Sequence, residues 1–404
     1  MVQGDERMTD VREILGRVRD ERESALLDYN WQYDRVKLAI QELIYDPFDV
    51  DVPKPPDPVC RAIDVAHTRI QRFHRATRPK AVTETDPENQ LYLSERWIPL
   101  SRVGVYAPNG GYPLVSSLLM TAIPAQEAGV TDLVVAISPR GDSRHHPVWN
   151  YALRQLGVHQ VLAAGGAQAI AALAFGLDGL KPVDLIAGPG NAYVAAAKQA
   201  LFREGRVGID LLAGPSEVLI IADGTVNPDY IAYDLIAQAE HAGDASAVLM
   251  SWDDTVLQAV RQRIQELLEG CEDRAIGSIR FERVADPASA LDKLNQAAPE
   301  HAGLMGPAAE ALASQVRTAG ALFVGPMASQ ALGDYVAGPS HVLPTGGTAR
   351  FLSGLSTRTF MRRMSVIEAR GSLTEDLIDA GAVLAEQEGL KFHQGALIAR
   401  KAKP

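Results

Sequence analysis

The chain has 404 residues, 47% of them hydrophobic and 22% charged, long enough for two or three globular domains that each bury a sizeable core. Its formal net charge of −11, with Lys and Arg scattered along the chain, excludes a nucleic-acid or anionic-membrane surface, because counterion release needs clustered cations. No stretch approaches the ~18 apolar residues of a membrane span, and the N-terminus MVQGDERMTDVREIL has no apolar signal core, so a soluble, cytoplasmic protein is expected.

Two cysteines, Cys60 and Cys271, cannot build a Cys-based zinc knot. Any metal must therefore be held by His and oxygen ligands.

From Thr9 to about Ile44, and from Asp57 to Arg78, apolar residues recur at helical spacing (Val11, Leu15, Val18), with the Pro-rich PFDVDVPKPPDPV between them as a linker. After Pro99 the strand-like runs RVGVYA, TDLVVAIS, HQVLAAG, VDLIAG and EVLIIAD alternate with Ala-rich helical stretches, the mark of parallel βαβ units. A second block repeats the habit: SAVLMSW, a helix over 254–268, IRFERV, a helix over 288–296, and GALFVGP. The tail from about Ser356 reads as helical. Ala-Gly-Pro recurs at 187, 213 and 337, each time closing a strand-like or turn segment.

VDLIAGPGNAYVAAAKQALF reads as strand, Gly188-Pro189-Gly190-Asn191 loop, helix, which would aim a helix N-terminus at an anion such as a pyrophosphate. It is not a GxGxxG fingerprint, so taken alone the loop reads first as a tight turn and only second as an anion site.

The residues suited to chemistry lie further on. Asn227-Pro228-Asp229 starts a helix running to about His241, on which Asp234, Gln238 and His241 share a face at i, i+4 and i+7. His241 there could join Gln238 on a ligand, or simply satisfy the last carbonyls of its own helix. APEH puts the acid–base pair Glu300 and His301 in a segment expected to be irregular and reorientable, suited to proton transfer. LGDYVAGPSHVLPT places Asp334 and His341 in a turn-rich loop where carboxylate and imidazole suit a divalent cation. Glu388 and His393 stand five residues apart in EGLKFHQGAL, off any single helical face.

Taken together, RVGVYAP, SSLLMTAIPAQEAGV, GGAQAIAALAFG, GPGNAYVAAAK, VGIDLLAGPSEVLIIAD, QAEH, APEH and GDYVAGPSHVLPTGGTARF resemble the histidinol dehydrogenase family, from about Arg102 to Phe351 almost without interruption. The resemblance implies zinc-dependent, NAD-linked oxidation of L-histidinol through a bound aldehyde. It implies zinc ligands at Gln238, His241, Asp334 and His393, and an acid–base pair in which His301 takes the alcohol proton and Glu300 activates water. Substrate contacts fall on Ser216, Gln238, His241, His301, Asp334, His341, Glu388 and His393, and NAD contacts on Tyr106, Gln168 and Asn191.

The implied architecture is α/β, two Rossmann-like domains with parallel-rich sheets, a helical N-terminal segment and a helical C-terminal tail. In it residues 1–105 join 217–355 as one domain, 106–216 form a second, NAD-binding one, and 356–404 complete the site of the other subunit of a homodimer. The family's paralogues imply one alternative substrate, a sulfonated diol, and a catalytically silent metal-binding scaffold is a second alternative. This sequence departs from the family pattern at Asn109, where glycine is usual, and at Ala302-Gly303 and Ala242-Gly243 after the two Glu-His pairs. Its short N-terminal arm bears on dimer contacts.

Overall fold

The computed structural model describes residues 2–212, 214–241, 243–270 and 276–401, with side chains from residue 8 onward. Cys271, Ala213 of the second Ala-Gly-Pro and Ala242 lie outside the described residues.

The chain divides into two compact units, one of residues 1–77 and 100–360, the other of residues 78–99 and 361–404. In the larger unit, helices α1 (Val2–Glu21) and α2 (Glu23–Tyr29) lead to a π-helical turn at Asn30–Asp34, a short strand β1 (Ile44–Tyr45) and helix α3 (Asp57–Ala76). The helical pattern read as far as Ile44 thus stops ten residues early, at a left-handed Arg35 (φ 59°). The smaller unit supplies β2 (Val82–Asp86) and β3 (Leu91–Pro99).

Then come β4 (Arg102–Ala107), α4 (Val115–Ala128), β5 (Asp132–Ile137), α5 (Pro147–Gln155), β6 (Val161–Ala163), α6 (Gly166–Phe175), β7 (Leu185–Ala187), α7 (Ala192–Arg203) and β8 (Gly208–Ile209). Their strands form one sheet in the order β1-β6-β5-β4-β7-β8, parallel except for β1. The order reverses between β4 and β7, and such a switch point leaves a crevice beyond the carboxyl ends of the strands.

A second, wholly parallel sheet follows, ordered β11-β10-β9-β12-β13. It is built from β9 (Glu217–Ala222), α8 (Pro228–Ala239), β10 (Ser246–Ser251), α9 (Asp254–Leu268), β11 (Ser278–Arg283), α10 (Pro287–Ala297), β12 (His301–Met305), α11 (Pro307–Glu310) and β13 (Ala321–Val324), with α12 (Gln330–Tyr335) after it. Two parallel-rich α/β layers are what the alternating pattern predicts, because a parallel connection must cross over through a helix.

Two expectations are corrected. The N-terminal helices pack on the first sheet, where the sequence reading joined residues 1–105 to 217–355: Val11, Ile14, Leu15, Val18 and Leu26 share one buried cluster with Ile170, Leu173, Ala197 and Leu201 of α6 and α7. The small Ala side chains of α6 let those helices approach closely, and each large apolar side chain so buried contributes about 1.5–3 kcal/mol.

The tail is not helical from Ser356. In the smaller unit β14 (Met361–Ala369) pairs antiparallel with β3, from Met361 opposite Pro99 to Ala369 opposite Leu91, and β2 completes a three-stranded sheet. Only then come α13 (Glu375–Gln387) and α14 (Lys391–Ile398), which pack on each other. No described helix is long and apolar enough to cross a membrane.

Candidate active site

At the switch point of the first sheet lies a cleft of about 800 Å³. Its wall carries all three expected cofactor residues, Tyr106, Gln168 and Asn191. Tyr106 is the last residue but one of β4 and its hydroxyl accepts the N–H of Gly166 at 3.1 Å; Gln168 is buried on the first turn of α6. Asn191 is the N-cap of α7, its Oδ1 accepting from the backbone of Tyr193 (3.0 Å) and Val194 (3.1 Å). The side chain therefore occupies two donors that the sequence left free for an anion.

Two residues that sequence reasoning missed hold this loop. Lys198 and Asp210 form a buried ion pair at 2.8 Å; Lys198 donates to the Gly188 carbonyl at 2.6 Å and Asp210 accepts the Gly188 N–H at 2.7 Å. Gly188 (φ 119°) has no room for a side chain, since a Cβ would lie 2.1 Å from the Tyr106 carbonyl oxygen. The signal was present as a lysine and an aspartate in otherwise apolar strings, AAAKQALF and VGIDLL.

Asn109, the departure from the family pattern, also has a structural task. Its amide donates to the carbonyls of Ser138 (2.9 Å) and Arg140 (2.8 Å), which ties its loop to the segment after β5.

The second sheet positions the acid–base chemistry. His301 is the first residue of β12, a strand flanked on both sides, so the Glu300-His301 segment is fixed and not reorientable as expected. Both side chains are buried. Glu300 Oε2 accepts the Glu217 N–H at 3.0 Å and stands 3.6 Å from His301 Nδ1, while His301 Nε2 lies 3.7 Å from Asp334 Oδ1.

Asp334 sits on the short helix α12, not in an open loop, and its carbonyl meets His341 Nδ1 at 2.8 Å. His301, Asp334 and His341 line a cleft of about 460 Å³ together with His74, Phe323 and Leu332. Ser216 lies within hydrogen-bonding reach of Glu300.

Burial raises the Glu300 carboxyl above its ordinary range, opposed by the charge of His301 and the Glu217 N–H. Burial pulls the His301 imidazole down, but the Asp334 carboxylate 3.7 Å away and the charge of Glu300 outweigh it and raise the imidazole above its ordinary range. Burial also opposes ionisation of Asp334, and its contact with His301 overcomes this and holds it below the usual carboxylate range. Burial thus moves the Glu300 carboxyl up toward the range where it can exchange a proton near neutrality, while the two neighbouring carboxylates keep His301 basic.

On α8, Gln238 is wholly buried, and neither its Oε1 nor its Nε2 has a protein partner. A buried amide left unpaired costs about 1–3 kcal/mol, so its place on this face calls for a ligand. His241 lies just past the helix end with Nδ1 2.9 Å from the Ala237 carbonyl. The structure shows the helix-end contact: Nδ1 meets its own helix, and such a bond leaves Nε2 as the lone-pair nitrogen.

Asp234, on the same face, is pushed up to about 7, chiefly by burial, and its carbonyl accepts from Gln330 of α12 at 3.1 Å, which brings α8 and α12 together. Among the described residues no three His, Cys, Asp or Glu side chains gather closely enough to hold a metal by themselves. Gln238, His241 and Asp334 fit zinc as a neutral amide oxygen, an imidazole and a carboxylate that together still need a further ligand. Glu388 closes α13 and His393 lies on α14 of the smaller unit, both exposed.

The family model described as histidinol dehydrogenase matches residues 2–401. The chain belongs to the histidinol dehydrogenase family. The histidinol dehydrogenase of Gluconobacter oxydans is 41% identical over 401 residues, covering 97% of this chain and 92% of that protein. That of Rhodospirillum rubrum is 41% identical over 403 residues, covering 96% and 91%. The crystal structure of histidinol dehydrogenase from Elizabethkingia anophelis superposes with a TM-score of 0.88 at 30% identity, over 97% of this chain and 91% of that one. The histidinol dehydrogenase fold thus spans both α/β sheets and the smaller unit.

Proposed function

We propose that this chain is a cytoplasmic, zinc-dependent enzyme of histidine biosynthesis that oxidises L-histidinol to L-histidine through histidinaldehyde, using two NAD in turn. The observation that carries the reading is the convergence of Glu300, His301 and Asp334 within 3.7 Å contacts in a chain of this family. His301 removes the proton of the alcohol in the first oxidation. Glu300, with its raised carboxyl, takes the proton of the water that adds to the aldehyde carbon. His301 then removes the hydroxyl proton of the resulting hydrate in the second oxidation.

When bound, the nicotinamide would supply the hydride acceptor and zinc would orient the substrate without redox chemistry at the metal. Gln238, His241 and Asp334 would hold the zinc with His393 of the partner subunit in a homodimer. Ser216, His341 and Glu388 of the partner subunit would meet the substrate, and Tyr106, Gln168 and Asn191 the cofactor. Among the described residues no Lys or Arg lines the smaller cleft, which favours an imidazole substrate over a sulfonated diol.

The test counts NADH formed per L-histidinol consumed by the zinc-loaded protein in excess NAD, with the product weighed by mass spectrometry. Two NADH and histidine are expected. No NADH from histidinol, with turnover of another small alcohol, would reassign the substrate.

A further inference from the structure

The larger cleft contains a carboxylate that none of the roles above uses. Asp34 closes the π-helical turn Asn30–Asp34, and such turns interrupt helices most often at functional sites. The turn is held from two sides: the Asn30 amide donates to the Ala163 carbonyl at 2.9 Å, and Tyr29 stacks on Tyr33 with ring centres 5.7 Å apart. Together these put the Asp34 side chain, only 9% exposed, into the cleft wall beside Ser138 and Arg140, over the carboxyl end of β5. Its Oδ1 stands 3.5 Å from Arg140 Nε, whereas its Oδ2 is buried with no partner in the protein.

The other carboxylates in the cleft add to its negative charge. Asp10 and Glu13 of α1 line it as well, without a cationic partner among the described residues. Both lining cations are already taken: Arg17 by Glu21 (2.7 Å) and Asp28 (3.0 Å), Arg140 by Asp34 and by the Tyr33 carbonyl at 2.9 Å. β5 is the neighbour of β4, which carries Tyr106, and in a dinucleotide crevice the end of that neighbouring strand is where an acid meets the ribose diol. Here the strand end itself offers Ser138-Pro139-Arg140, and the acid arrives from the N-terminal segment.

We infer that Asp34 accepts a hydrogen bond from a ribose hydroxyl of the dinucleotide through its unpartnered Oδ2, and that Asp34 with Asp10 and Glu13 sets the choice of NAD over NADP. The inference rests on the dinucleotide reading of this cleft. A 2′-phosphate would bring two negative charges to a wall on which, among the described residues, both lining cations already face carboxylates.

Isothermal titration with NAD and with NADP on the wild-type protein, on Asp34→Asn and on the surface double variant Asp10→Asn/Glu13→Gln tests this without recourse to turnover. The wild type should prefer NAD by about a hundredfold, Asp34→Asn should weaken NAD about tenfold, and the double variant should narrow the preference about tenfold by admitting NADP. Asp34→Asn that binds NAD as the wild type does would overturn the role of Asp34. Should that variant fail to fold, as judged by circular dichroism, an unchanged preference in the double variant overturns the selectivity. A wild-type protein that binds neither dinucleotide overturns the cofactor reading of the cleft and this inference with it.

Discussion

His341 Nδ1 stands 2.8 Å from the carbonyl oxygen of Asp334, seven residues back along the chain. That bond makes Nδ1 the protonated nitrogen and turns Nε2, as an acceptor, toward the cleft shared with His301. Burial holds the His341 imidazole below its ordinary range, so it stays neutral where the enzyme works. His341→Phe, which keeps a ring but removes the acceptor, should raise the KM for histidinol about tenfold to a hundredfold, as for one lost hydrogen bond to a charged group. An unchanged KM in steady-state kinetics would place the ring outside the substrate's reach.

The proposed division of labour between Glu300 and His301 would separate the two half-reactions. Glu300→Gln should slow oxidation of supplied histidinaldehyde by about 10²–10⁴ and that of histidinol to the aldehyde far less, whereas His301→Asn should slow both. Single-turnover NADH formation from each substrate reads this directly. Equal losses in both steps for Glu300→Gln remove its water-activating role.

Zinc binding should weaken with acid, because imidazole coordinates only in its neutral form. If His241 and His393 are ligands as proposed, the dissociation constant measured by competition with a chelator should rise as the solution is acidified. A constant affinity from neutral to mildly acid pH would exclude both histidines as ligands. Gln238→Ala should weaken zinc at every pH alike, since an amide does not titrate.

His74 gives a separate pH dependence, of stability. It is buried on α3 with both ring nitrogens unpaired, and burial lowers its imidazole to about 4. The unfolded chain therefore takes up the proton first, and folding stability falls as pH drops from about 6.5 to about 4, by on the order of 3 kcal/mol. His74→Leu should flatten the denaturation midpoint across that window. A slope equal to the wild type's would assign the acid sensitivity to other groups.

Lys198 and Asp210 provide a test of the cofactor loop. Their side chains are 3% and 1% exposed, and Lys198→Met would strand the Asp210 carboxylate, costing about 3–5 kcal/mol in urea denaturation. NAD affinity should fall with it, because the same two groups grip both polar atoms of Gly188. Asp210→Asn paired with Lys198→Met should recover much of the stability.

The sequence by itself determined the alternation of strands and helices in the two parallel sheets and the residue types at the candidate site. Alternating β-branched runs and Ala-rich helices dictate parallel sheets because side-chain periodicity is a local property of the chain. Asn227-Pro228-Asp229 starts α8 as its capping chemistry requires, and α9 covers the predicted residues 254–268. QAEH, APEH and GDY named the donor groups because a motif fixes residue types at fixed spacing.

Tertiary structure alone decided which faces meet. The apolar stripe of α1 shows that it is buried but not against what, and the answer is α6 and α7. The strand β14 carries charges on both faces, and its stability comes from pairing with β3, 262 to 278 residues away, a contact no local pattern encodes. Glu300-His301 looked like a loop because a polar pair beginning a buried strand defies the apolar rule for such strands; hydrogen bonding to Glu217 and ion pairing within the cluster offset the cost of burying it. Asp34 was invisible for the same reason: its value lies in an unpaired oxygen over the end of β5, which exists only after residues a hundred positions apart have packed.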